Sequence, residues 1–196
     1  TPAYRLKFSD LTEYLIAPEI YDVTMPVRLV KPKAGDDEFY GIEDDDDEDE
    51  VKVGRYIDLV KGILWNEDVW RYSIWVANKM AEMGLYPVII HSPLESPARY
   101  FSEKYGLPLL SGKSSEMERK AILEGLRARR IKYAIATTVV DEGIDIPSLQ
   151  GLIMLFPGGS KVKLVQRIGR LVRRAEGKQR AVAILMHYVT GSLKWD

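Results

Sequence analysis

Cysteine is absent, and only two histidines, His91 and His187, occur in 196 residues. Without thiols there is no disulfide framework and no thiolate metal site. Two histidines, each at the end of an apolar run, suit packing or surface positions, so no protein-held metal site is expected. No apolar run approaches the roughly 18 residues that a membrane span requires, and no charged-then-apolar leader opens the sequence. Side-chain amides are scarce as well, with Asn66, Asn78, Gln150, Gln166 and Gln179 the full complement. An intracellular, cytoplasmic (or nuclear) protein from a heat-adapted source is the expectation.

What is present is an apolar content of 46%, enough for one full core. The net charge of −1 conceals segregation. Residues 36–50, DDEFYGIEDDDDEDE, are mostly carboxylates, whereas the stretch from Lys113 to Arg180 is dominated by lysine and arginine. A basic half suits a polyanion, nucleic acid or nucleotide, although a solvated charged surface would look the same. The acidic run cannot bury apolar area and repels itself, so residues 35–53 should form a mobile loop. It lacks the spaced D-x-D-x-D-G pattern of a calcium loop. Residues 1–34 then make a leading segment with an edge strand at 20–30, and residues 54–196 make the main body.

Along that body, strand and helix signals alternate. Asn66 caps a helix that stops at Gly84, and Ser96-Pro97 opens another that Gly106 closes. Ser115 with Glu118 makes a capping box for a helix to about Arg130. Ser160 caps a fourth, to about Ala175. PVIIHS, LPLL, YAIATTVV, LIMLF and AVAILM are short, nearly apolar strands, as strands covered on both faces must be. This predicts an α/β fold, an open, mostly parallel sheet with helices on both faces. Working residues in such sheets lie at the carboxyl ends of the strands.

Three stretches bear on chemistry. The first is Gly112-Lys113-Ser114, the ending of a phosphate loop. The G-x-x-x-x-G-K-[ST] pattern needs glycine where Leu107 stands, and Gly106 is one residue too far. A phosphotransferase built on this tripeptide is therefore disfavoured. The second is KVKLVQRIGRLVRR, residues 161–174. At 100° per residue, Leu164, Val165, Ile168, Leu171 and Val172 form an apolar stripe with Arg167 nearer its edge. Gln166, Arg170 and Arg173, at i, i+4 and i+7, project together on the other side as a phosphate clamp would. Gly169 is costly in a helix interior, which a close approach by another backbone would explain. A plain basic surface helix is the alternative. The third is ATTVVDEGIDIP, residues 136–147, a β-branched run ending in an acidic turn. Thr137 and Thr138 can bond a phosphate backbone there, and Asp145 a ribose hydroxyl.

In this order and about twenty residues apart, T-x-x-x-x-E-G-I-D-I-P and Q-R-I-G-R-x-x-R resemble motifs five and six of superfamily-two helicases. These belong to the second of that family's two RecA-like lobes. The resemblance covers roughly residues 85–187 and is nearest the DNA-directed XPB, UvrB and Hef-like groups, since DEAD-box RNA helicases usually carry histidine where this chain has Gln166. The opening Thr1-Pro2 is similar to the end of the family's motif three, which would put the start of the chain at the junction between lobes.

The resemblance implies the C-terminal motor lobe of an ATP-dependent DNA helicase or translocase. Arg170 and Arg173 would reach the γ-phosphate as catalytic residues, Arg173 as the arginine finger. Gln166, Gly143 and Asp145 would join them in binding the nucleotide. Ser92, Gly112, Lys113, Thr137 and Thr138 would hold the nucleic-acid backbone. ATP with Mg2+ would be held mainly by the first lobe of the same protein, because the chain contains neither a Walker-type loop nor a D-E-x-H magnesium site. The chain by itself is accordingly expected to be inactive. DNA is the expected partner, RNA less so, and a membrane is not. A stand-alone nucleic-acid-binding or regulatory domain is the competing reading.

Overall fold

The computed structural model describes residues 15–33, 50–137, 146–157 and 161–190. Among the described residues, six strands form one sheet in the order β1-β6-β5-β2-β4-β3, with each neighbouring pair parallel. They are β1 (Pro18–Val27), β2 (Val88–His91), β3 (Leu109–Leu110), β4 (Tyr133–Ala136), β5 (Gly151–Met154) and β6 (Ala181–Thr190). Parallel neighbours need crossovers, and among the described residues five helices lie in those between β1 and β4 and between β5 and β6: α1 (Glu50–Leu64), α2 (Glu67–Glu82), α3 (Glu95–Tyr105), α4 (Glu116–Arg127) and α5 (Lys161–Leu171).

Side chains alternate across the sheet and sort into two cores. Val88, Ile90, Ile135, Ile153, Val182, Ile184 and Met186 face α1, α2 and α3, with Trp70 and Phe101 stacked at a centroid distance of 5.1 Å. Ile89, Ala134, Ala136, Leu152, Met154, Ala181 and Ala183 face α4 and α5. Both faces are thus buried, which is why the strand sequences read as continuous apolar runs. The small alanines of the second face give α4 and α5 room to lie close to the strands.

Helix boundaries follow local chemistry in most places. The Asn66 side chain accepts from the Asp68 N–H, and Ser115 with Glu118 forms both halves of the capping box. Gly106 ends α3 in the left-handed region, at φ 63°. Ser96 and Pro97 lie inside the first turn of α3 rather than opening it. The N-cap position is Leu94, whose N–H is accepted by the Ser92 hydroxyl.

Two expectations for the 161–174 helix are corrected. α5 ends at Leu171, not near Ala175, so Arg173 is not carried on a continuing helical face. The packed stripe also includes Arg167, only 6% exposed, whereas Val165 is 68% exposed. The two residues flank the stripe on opposite sides, and the sheet takes the Arg167 side. A long arginine stem can lie along apolar surface while its head finds polar partners. A further element, α1, falls where no helix was expected and begins inside the segment assigned to the acidic loop. The remainder of that run, residues 36–49, lies outside the described residues.

Candidate functional site

The register of the sheet decides which loops meet. His91 on β2 and Leu110 on β3 both pair with Ala136 on β4. The residues that follow them, Ser92, Ser111 and Thr137, therefore stand in one row at the carboxyl edge. The main chain links that row, with Ser92 N–H donating to the Ala136 carbonyl and Thr137 N–H to the Leu110 carbonyl.

Gly112-Lys113-Ser114 makes a hydroxyl-stapled turn beside this row. Ser114 Oγ donates to the Leu109 carbonyl and accepts from the Ser111 N–H, and Lys113 N–H donates to Ser111 Oγ. The Ser114 N–H donates to the Ser111 carbonyl, and the Ser115 N–H to Glu118. A phosphate loop works by offering consecutive N–H groups to its ligand; here those of Lys113, Ser114 and Ser115 are engaged within the turn. What the turn presents outward is Lys113 and Gly112, both exposed.

Thr137 and Ser92 are placed in the row but turned inward. Thr137 is 1% exposed and its hydroxyl donates to Glu95 at 3.3 Å; Ser92 is fully buried and its hydroxyl bonds Leu94. Beneath them lies a polar cluster that the motifs did not single out. Arg99 donates to the buried Glu95 carboxylate at 2.5 Å and to Ser111 Oγ at 3.2 Å. Arg119 donates to the Ser111 carbonyl from α4. The i, i+4 spacing of Glu95 and Arg99 on a helix was the available signal. Thr138, Gly143 and Asp145 lie outside the described residues.

The second group rides on α5, which packs against β5 and β6. Its outward side carries Val165, Gln166 and Gly169, all exposed, with Arg170 half-buried beside them. A Cβ built on Gly169 meets nothing within 4 Å among the described residues, so no backbone among them accounts for the glycine. Arg173 follows two residues after the helix, exposed, in an isolated antiparallel bridge with Leu15.

Lys178 ties this region together, and the sequence reading passed over it. Its side chain is buried and donates to the carbonyls of Leu171 at 2.5 Å, Arg173 at 2.7 Å and Pro147 at 3.2 Å. Burial pushes its amine down to about 8. At neutral pH the ammonium therefore prevails, and its three N–H groups match three acceptors.

An open parallel α/β sheet of this order, with loops at its carboxyl edge and an arginine-rich helix beside them, is a RecA-like lobe. The family model described as "Helicase conserved C-terminal domain" matches residues 75–175. The chain belongs to that family, the second lobe of superfamily-two helicases. It is 29% identical over 103 residues to the DNA 3'-5' translocase XPB2 of Sulfurisphaera tokodaii, covering 53% of this chain and 23% of the relative. It is 24% identical over 119 residues to the mitochondrial ATP-dependent RNA helicase MSS116 of Candida albicans, covering 61% and 18%. Among solved structures, E. coli DEAD-box protein SrmB bound to the regulator RraA superposes with a TM-score of 0.50 at 18% identity, covering 61% of this chain and 72% of that one. That likeness shows the fold alone. The chain spans between 16% and 23% of the length of the first curated relatives it matches.

Proposed function

We propose that this chain is the C-terminal motor lobe of an ATP-dependent helicase or translocase acting on DNA. The observation that carries the reading is the outward side of α5. Gln166 is exposed there, Arg173 is exposed two residues beyond the helix end, and Gly169 opens onto space that nothing among the described residues fills. A surface that keeps a costly glycine beside exposed donors suits close approach by a second body carrying phosphates.

In this reading ATP and Mg2+ sit mainly on the first lobe, and bound there they supply the phosphoryl group and its charge neutralisation. This chain's residues complete the cleft. Gln166 orients the nucleotide, Arg170 binds phosphate oxygen, and Arg173 stabilises charge on the transferring group as an arginine finger. Gly143 and Asp145 reach the nucleotide from the acidic turn. Across the sheet, Lys113 and the Gly112 main chain bind the nucleic-acid backbone, together with Ser92, Thr137 and Thr138. For Ser92 and Thr137 the contribution is main-chain, or follows release of the hydroxyl from its present partner. Alternating nucleotide states would open and close the lobes and move the strand.

Gln166 in place of the histidine usual in DEAD-box RNA helicases supports DNA, as does the likeness to a DNA translocase. RNA is the second reading, favoured by the likeness to MSS116. Comparing the longer protein with the chain by itself is the direct assay. The longer protein should hydrolyse ATP faster when DNA is added, and the chain alone should not turn over ATP. Steady nucleic-acid-stimulated hydrolysis by the purified chain would refute the half-motor reading.

A further inference from the structure

Arg173 carries the proposed chemistry, yet no helix carries Arg173. With α5 finished at Leu171, its backbone needs other supports. One is the bridge to Leu15, in which the Ile16 N–H donates to the Val172 carbonyl at 2.8 Å. The other is Lys178, which grips the main chain on both sides of Val172 through the carbonyls of Leu171 and Arg173.

Carbonyls at the end of a helix have lost their intrahelical partners and carry the negative end of its dipole. A buried cation satisfies them where a glycine cap would usually do so. The turn that brings Lys178 back closes with its own N–H donating to the Ala175 carbonyl and with Gly177 at φ 72°. Helix capping alone does not require the third bond. Pro147 ends the ATTVVDEGIDIP segment, far away in sequence, and the same ammonium holds its carbonyl.

We infer that Lys178 is the positioning residue for Arg173, fixing the main chain around the finger and locking it to the end of the acidic-turn segment. The inference rests on the reading of Arg173 given above. The placement of the guanidinium then does not depend on a frayed helix end. Removing the ammonium leaves Arg173 in the chain and lets its backbone drift.

A double-mutant cycle in the longer protein tests this, with DNA-stimulated ATP turnover measured in single-turnover experiments beside KM for ATP and DNA affinity. A displacement of about 1 Å costs on the order of 100-fold in rate. Lys178→Met should therefore lower kcat by about 10- to 100-fold, with KM and DNA affinity nearly unchanged. In an Arg173→Ala background the same substitution should cost nothing further, because there is no finger left to misplace. Lys178→Arg, which keeps the charge, should recover part of the rate. Should Lys178→Met fail to fold, Lys178→Arg carries the same cycle, its smaller loss again vanishing in the Arg173→Ala background. A loss of equal factor in both backgrounds would overturn the inference, since Lys178 would then act on the fold at large. So would full turnover in Lys178→Met while Arg173→Ala is crippled. An Arg173→Ala protein with normal turnover would instead sink the proposed function itself.

Discussion

Replacing Gly169 by alanine separates what the chain needs from what its partner needs. Gly169 lies in the last turn of α5, exposed, with no atom of the described residues within 4 Å of an added Cβ. Alanine relieves the conformational cost of glycine in a helix, worth roughly 0.5–1 kcal/mol, and no steric penalty opposes it. At this chain length the gain corresponds to a Tm higher by about 1–4 °C. In the longer protein the added methyl would meet whatever fills that space. Forcing a methyl into a packed contact costs about 1–3 kcal/mol, or about 5- to 150-fold in turnover. The assays are a thermal melt of the chain and ATP hydrolysis by the longer protein. A destabilised chain would show that the space is already filled. A stabilised chain with unchanged turnover would show that no second lobe uses it.

Other outcomes can be checked on the chain itself. Lys113→Ala should make the plot of log affinity for single-stranded DNA against log salt shallower by about 0.7, the increment for one backbone contact; an unchanged slope would place Lys113 away from the strand. Ser115→Ala removes the capping box of α4 and should cost about 1 kcal/mol in denaturant unfolding. Hydrogen bonds from Arg180, at 2.7 and 2.6 Å, hold the Glu19 carboxyl below its ordinary value of 4.5. A lowered carboxylate contributes stability that is present above the ordinary value and is lost as pH falls through the lowered one. Glu19→Gln should therefore flatten the acid limb of a stability-against-pH curve, and an unchanged limb would exclude this pair as its source.

The strands were legible because their pattern is local. Apolar runs such as VIIH and AVAILM fit strands buried on both faces, and the caps Asn66, Gly106 and Ser115 act within a few residues. α1 was readable in principle, since Tyr56, Leu59, Val60, Ile63 and Leu64 recur at helical spacing. The carboxylates preceding it obscured its start. The end of α5 was not readable, because apolar periodicity runs on through Val172 while the chain beyond Leu171 is held by Lys178 and the Leu15 bridge, both tertiary contacts. The same holds for Val165 and Arg167, symmetric about the stripe until the sheet chooses a side. The spacing before Gly112-Lys113-Ser114 already disfavours a phosphate loop, because Leu107 stands where that pattern needs glycine. The internal hydroxyl bonds of this turn could not be foreseen from composition.

The central claim is that this lobe completes an ATP site on another lobe, and Arg173→Ala in the longer protein tests it most directly. ATP turnover and DNA affinity should be measured on the same preparations. Arg173 is exposed and outside both apolar cores, so the fold should survive. An arginine finger acts on charge that develops during phosphoryl transfer and is worth about 10³–10⁵ in rate. The account predicts a loss of that order with DNA affinity preserved. Retained turnover with collapsed DNA affinity would contradict it and assign Arg173 to the nucleic-acid groove.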